Sequence, residues 1–399
     1  MRTPPVSPPR LITLVLMTVL GIVSVNMFLP SLANMAESFS ISYATASLSI
    51  SVFMLITAGL QLVIGPLSDL YGRRPVLLWS LAIFTCASLG TALAPDFTSF
   101  MVFRLAQTAV IAGNVLSRAI VRDTSPPQEA TRRLATIGMA IALGPMVAPV
   151  LGGMLDQFLG WRATLWSFTA LGAALLGLCW LDVGETNTNR GRGFAAHFRA
   201  YPALLTDLRF WSYTFSIGLG IGIFFAFLAG TPILGSRHFD LTSSAIGALI
   251  GLPPIGFVCG SYVSRRIGAH VAPAHMVLAG RLVSVFGLGA ALLLWSFGPG
   301  AAWSFFLLMP VIGLANGLST PAGMSGAMSV RPDLSGSAAG LSGAVMVGCG
   351  AAMTTVSGAL LEASADPMRL LWLLWGLALL SVLAALPALR PERTVATSL

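Results

Sequence analysis

The 399-residue chain contains no lysine; all 22 of its basic residues are arginines. Charge of either sign is scarce, at 9% of residues, against 56% hydrophobic residues and a mean hydropathy of +0.85. A soluble globular chain carries about 25% charged residues, so this composition excludes an ordinary soluble domain. Cysteine is also sparse: Cys86, Cys179, Cys259 and Cys349 all fall inside apolar runs. Together with four histidines (His197, His238, His270, His275) they show no metal-ligand spacing. A disulfide framework, a bound metal and a zinc site are therefore not expected. No nucleophile–histidine–acid set and no phosphate-binding loop before a strand is present, so neither enzyme chemistry nor a cofactor is expected.

What the chain does have is long apolar runs. Windows of roughly 20 residues, enough to cross a hydrocarbon layer about 30 Å thick, pick out twelve spans. They cover 11–31, 44–66, 75–94, 98–118, 134–155, 162–181, 210–234, 243–264, 274–295, 303–329, 336–361 and 368–389. No small-residue cleavage site follows the first, which reads as a retained helix rather than a leader. The expected fold is an all-α membrane protein of twelve transmembrane helices.

Charge sets the expected orientation. With the N-terminus inside, eighteen arginines, among them Arg73, Arg74, Arg132, Arg133, Arg265, Arg266 and Arg281, fall on the cytoplasmic side. Arg162, Arg237 and Arg369 fall on the other side, and Arg104 alone reads as a basic residue well inside a span. The excess of arginine predicts that both termini are cytoplasmic. The net charge of +8 then reflects topology and anionic lipid headgroups, not a nucleic-acid partner. The hydrophilic stretch from Asp182 to Arg209 divides the spans into two sets of six. Residues 1–183 form the first half, 184–209 a linker, and 210–399 the second half. Within the linker, Phe194, Phe198, Tyr201, Leu204, Leu205 and Leu208 recur at helical spacing, as in a helix lying on a membrane surface.

Four segments carry a family likeness. Between the second and third spans runs Gly65-Pro66-Leu67-Ser68-Asp69-Leu70-Tyr71-Gly72-Arg73-Arg74-Pro75, read as a short charged hinge, with a fainter echo at Gly260–Gly268 between the eighth and ninth. The fourth span holds Arg104-Leu105-Ala106-Gln107-Thr108, then Asn114 and Arg118-Ala119-Ile120-Val121-Arg122-Asp123. The fifth holds Gly144-Pro145-Met146-Val147-Ala148-Pro149-Val150-Leu151-Gly152-Gly153. Ser335-Gly336-Ser337-Ala338-Ala339-Gly340-Leu341 opens the eleventh. Together these resemble the major facilitator superfamily, and within it the bicyclomycin and chloramphenicol resistance branch of drug exporters. The resemblance implies two six-helix halves rocking about a central site in the bacterial inner membrane, with a small-molecule substrate, protons as coupling ion, and a monomeric state. It makes Gly65, Asp69, Gly72, Arg73 and Arg74 a gating latch, and Gly144, Pro145, Pro149, Gly152 and Gly153 an exporter signature that bends and closes the fifth helix.

One position departs from that pattern. Related exporters carry an aspartate where this chain has Asn26, in Asn26-Met27-Phe28-Leu29-Pro30. Asn26 cannot titrate, and Glu37, Asp96, Asp156, Asp240, Glu362 and Asp366 all read as residues of the outer loops. Coupling then falls to an edge carboxylate such as Glu37 or Asp69, or to Arg104, or the protein is an uncoupled facilitator. Loss of the acid favours neutral amphipathic substrates such as phenicols over cationic ones; a metabolite carrier is the alternative. Gln107 and Asn114 project within about 20° of each other on a helix. The expected substrate lining is Asn26, Met54, Gln61, Gln107, Asn114, Met146, Phe224, Phe225 and Asn316, amides for orientation and Met and Phe for an adaptable wall.

Overall fold

A computed structural model describes residues 9–187, 204–268, 270–298, 300–331 and 334–389. Twelve helices organise it, with no strand among the described residues. The first half comprises α1 (Leu11–Ser38), α2 (Tyr43–Tyr71), α3 (Arg73–Leu93), α4 (Phe97–Thr124), α5 (Pro127–Leu159) and α6 (Arg162–Asp182). The second comprises α7 (Leu208–Arg237), α8 (Ser243–Ile267), α9 (Pro273–Phe297), α10 (Ala302–Ser329), α11 (Ser335–Glu362) and α12 (Pro367–Leu389). Eleven are long and apolar enough to cross a membrane. The twelfth, α5, has 33 residues and carries the apolar stretch Val147–Leu159. Each predicted span lies within its helix, overrunning it by one residue at most, while several helices run five to seven residues beyond the predicted ends. The predicted surface segment at 194–208 lies, up to residue 203, outside the described residues.

The face holding Leu11, the α2–α3 connection and the end of α12 is called the near face, and the opposite one the far face. At the far face the two halves repeat one corner. Phe39-Ser40-Ile41-Ser42 leads into α2 and Phe239-Asp240-Leu241-Thr242 into α8. Ser40 and Asp240 both turn the chain with positive φ, 53° and 51°. Ser42 and Thr242 then cap their helices, accepting from the amides of Thr45 and Ala245. Each phenylalanine is clamped in aromatics of its own half: Phe39 by Phe97, Phe100 and Trp161, Phe239 by Trp295, Phe305 and Phe306.

The Gly65–Pro75 run is not the loop the sequence predicts. Gly65 and Pro66 lie inside α2, α3 begins at Arg73, and Gly72 alone connects them. At φ 104° this residue occupies backbone space that favours glycine. The echo in the second half is likewise helical as far as Ile267, and there Arg265 and Arg266 stack on Tyr262.

An apolar core runs through the first half and into the far part of the second. The near end of the second half has a separate small core, with Leu204, Phe210, Tyr213 and Val277 in it. The halves meet closely at the far face, where α5 lies backbone-on-backbone against two partners. Gly152 leaves no room for a Cβ against the Met27 carbonyl of α1. Gly153 is equally tight against the Ser243 carbonyl of α8, and Gly247 of α8 against the Pro149 carbonyl. Glycine at these places allows main chains to approach as side chains would not. Three hydrogen bonds also cross between the halves here. Tyr43 Oη donates to the Ala229 carbonyl, Asn34 Nδ2 lies 3.4 Å from Ser243 Oγ, and the Ala44 amide donates to Glu362 Oε2 at 2.7 Å.

Candidate functional site

At mid-depth the seam between the halves widens into a cavity of about 250 Å³. Ile141 and Pro145 of α5 form one wall; Ile221 and Phe224 of α7, Phe257 of α8 and Asn316 of α10 form the others. Phe224 meets Phe225 edge to face at 5.5 Å. Phe225 and the Met54 Cε of α2 both press on Gly350 of α11, where an added Cβ would lie 2.8 and 2.7 Å from them. Gln61 lies farther along the same α2–α11 contact, its Oε1 3.6 Å from a Cβ built on Gly343. The structure thus gathers Met54, Gln61, Pro145, Phe224, Phe225 and Asn316 along one seam.

The other predicted lining residues are placed differently. Asn26 is buried at the end of the first segment of α1 (Leu11–Asn26), between two contacts of α1 with α5. These are Ile22, whose Cγ2 lies 2.6 Å from a Cβ built on Gly144, and Met27 against Gly152. Asn26 Nδ2 donates to the Ile22 carbonyl at 2.8 Å, and its Oδ1 is buried without a partner. Asn114 is half-buried on α4. Met146 lies on α5, but its side chain is outside the described residues. Gln107 faces away from the seam, donating to Ser88 Oγ (2.9 Å) and Thr91 Oγ1 (3.2 Å) of α3.

Two buried arginines brace the halves. Arg104 is fully buried and donates to Gln107 Oε1 (2.8 Å), the Ser24 carbonyl (3.0 Å) and the Ser49 carbonyl (3.4 Å). Its guanidinium also lies over the rings of Phe53 (4.4 Å) and Phe28 (5.1 Å). The Ser24 carbonyl is among the last four of the first α1 segment, which have no helical partner. Arg104 therefore caps the break in α1 next to Asn26. It is not alone in being buried within a span, as the sequence implies. Arg281, counted with the cytoplasmic-side arginines although it falls within the predicted span 274–295, is also fully buried, inside α9, because Asn316 and Ser319 of α10 close over it. Its Nη2 donates to Asn316 Oδ1 at 2.9 Å, and Asn316 Nδ2 in turn donates to the Gly220 carbonyl at 2.9 Å. Asn316 is thereby held rigidly at the cavity wall.

At the near face, Arg73 ties four parts of the first half. Its guanidinium pairs with Asp69 Oδ1 of α2 at 2.6 Å and with Asp123 Oδ2 of α4 at 3.1 Å. Its amide donates to Glu185 Oε1 at 3.0 Å, just beyond α6. Asn187 adds a bond from Nδ2 to the Asp69 carbonyl at 2.9 Å. Arg74 is outside this knot: it donates to the Trp180 carbonyl and lies over that ring at 5.5 Å. Glu37 is exposed at the far end of α1.

Comparison with known proteins agrees with this architecture. Residues 14–355 match the profile of the Major Facilitator Superfamily. A chloramphenicol resistance protein of Pseudomonas aeruginosa is 30% identical over 252 residues, 62% of this chain and 59% of that one. Multidrug resistance protein D of Escherichia coli is 26% identical over 385 residues, 94% and 95% of the two chains. Among solved structures, a nucleoside transporter superposes with a TM-score of 0.76 at 13% identity, covering 95% of this chain and all of the other. The chain is a multi-pass membrane protein, a transporter rather than an enzyme, and it belongs to the major facilitator superfamily.

Proposed function

We propose that the protein exports small neutral amphipathic drugs, of the phenicol or bicyclomycin kind, by alternate opening of its halves in exchange for protons. The observation that carries this reading is the seam cavity, walled by Phe224, Phe257 and Pro145 with one fixed amide, Asn316, and no acid. Apolar walls with a few oriented polar groups suit an uncharged drug-sized molecule. The names of the two resistance proteins above support the same choice. In this reading the near face is cytoplasmic, in the bacterial inner membrane, and the transporter works as a monomer. The sealed far face and the separate near-end core then describe a form open to the cytoplasm.

Expression in a bacterial host stripped of its own pumps is expected to raise the inhibitory concentration of chloramphenicol or bicyclomycin several-fold. Unchanged tolerance to both would overturn the assignment. The near-face knot acts on the rate of switching. Its ion pairs are part-exposed, worth about 0–1 kcal/mol each. Asp69→Asn is therefore expected to slow efflux by less than about tenfold with drug affinity unchanged, read from efflux kinetics beside equilibrium binding.

A further inference from the structure

Of the acids among the described residues, Asp156 alone is buried, at 5% exposure. Its position in sequence predicts an outer loop; in the structure it lies on α5, one turn beyond Gly152 and Gly153. Packing by α1 and α8 against this stretch of α5 removes it from solvent. Oδ2 accepts from Asn34 Nδ2 of α1 at 2.7 Å. The same Asn34 nitrogen reaches Ser243 Oγ at the head of α8, on the other side of the seam. Oδ1 is buried with no hydrogen-bond partner of good geometry, and the Ser243 hydroxyl is the one further side-chain donor beside the carboxylate among the described residues.

The ionisable groups on the surrounding elements do not neutralise it. Glu37 at the end of α1, Arg237 at the end of α7, and His238 and Asp240 between α7 and α8, are all exposed. Arg162 at the head of α6 donates to the Ala94 carbonyl and stacks on Trp161. Among the described residues Asp156 forms no ion pair.

We infer that Asp156 is a proton-binding latch of the far seam: it takes up a proton as the seam closes over it and releases it when the seam opens. An ionised carboxylate withdrawn from water with one oxygen unmatched is strongly disfavoured, whereas a neutral carboxyl is tolerated. Opening the seam returns Asp156 to water and removes the preference. Closure linked to one proton changes the closed-to-open ratio by up to about tenfold per pH unit. The sign follows: acid on the far side closes the seam and alkali opens it. The inference rests on the alternation of the halves proposed above; since the proton is taken up and released on the far side, it sets the balance of the seam and does not stand in for the aspartate that Asn26 replaces.

Pulsed spin-label distances across the far face test it, with labels at Thr98 and Ala363, both exposed, and the four native cysteines replaced. In lipid nanodiscs the parent protein is expected to show the short distance in acid and the long distance in alkali. Asp156→Asn is expected to stay short at both, and Asp156→Glu to restore the shift. A pH shift that persists in Asp156→Asn, or a parent protein that responds to chloramphenicol but not to pH, overturns the latch. Distances that respond to neither drug nor pH in any variant overturn the alternation itself.

Discussion

Gly153→Val is expected to stop transport while leaving the protein folded and inserted. The added side chain would meet the Ser243 carbonyl of α8, a contact that the proposed cycle makes only while the far face is closed. Overpacking of this kind costs about 1–3 kcal/mol, and all of it falls on one of the two conformations. The closed-to-open ratio then shifts by about 5–150-fold, enough to hold the halves apart at the far face. Gly152→Val is its control. That side chain would meet the Met27 carbonyl inside the same half, so the clash is present in every conformation and folded protein is lost. Size-exclusion profiles of the two variants in detergent, beside drug flux in proteoliposomes, separate the outcomes. A Gly153→Val protein with normal flux would show that the α5–α8 contact is not part of the cycle.

Arg104→Met should destabilise the first half. Methionine keeps most of the volume but removes every donor. The Ser24 carbonyl and Gln107 Oε1 lose charged hydrogen bonds worth about 1.5–3 kcal/mol each, and two ring contacts worth about 0.5–2 kcal/mol each disappear with them. Removing the cation saves only about 2.5–3.5 kcal/mol of membrane cost. The net loss of a few kcal/mol lowers the melting temperature by on the order of 5 °C or more, as thermal unfolding of the purified protein would show. An unchanged Tm would mean that the break in α1 holds itself. Efflux by whatever protein remains folded reports separately on coupling through Arg104.

Much of this architecture can be read along the chain, because a membrane span is a local signal. Roughly twenty apolar residues announce themselves without reference to any other part of the molecule. The small residues of α5 were legible for the same reason: glycine and proline at Gly144, Pro145, Pro149, Gly152 and Gly153 mark close backbone approach wherever they fall. What they approach was not legible, because Met27 and Ser243 lie on other helices. The misreadings share one cause. Asp156 sits close enough to the end of its span to pass for a loop residue, Arg281 is counted by side rather than by depth, and only packing by other helices buries them. Arg73 meets Asp123 and Glu185 across 50 and 112 residues, so the knot could be guessed at Asp69 and no further. Gly65–Tyr71 passed for a hinge since glycine and proline break helices in water, whereas neighbouring helices sustain them in a membrane bundle.

The α5–α8 seam has a kinetic consequence. Where Gly153 faces Ser243 and Gly247 faces Pro149, main chain touches main chain, and no interdigitated side chains need to disengage as the surfaces part. Separation of the strip itself is resisted by dispersion between main chains, beside the Asn34–Ser243, Tyr43–Ala229 and Ala44–Glu362 hydrogen bonds that cross the same face. The activation barrier at this strip is correspondingly shallow. Turnover should then be governed by events at the drug and at Asp156 rather than by friction between the helices.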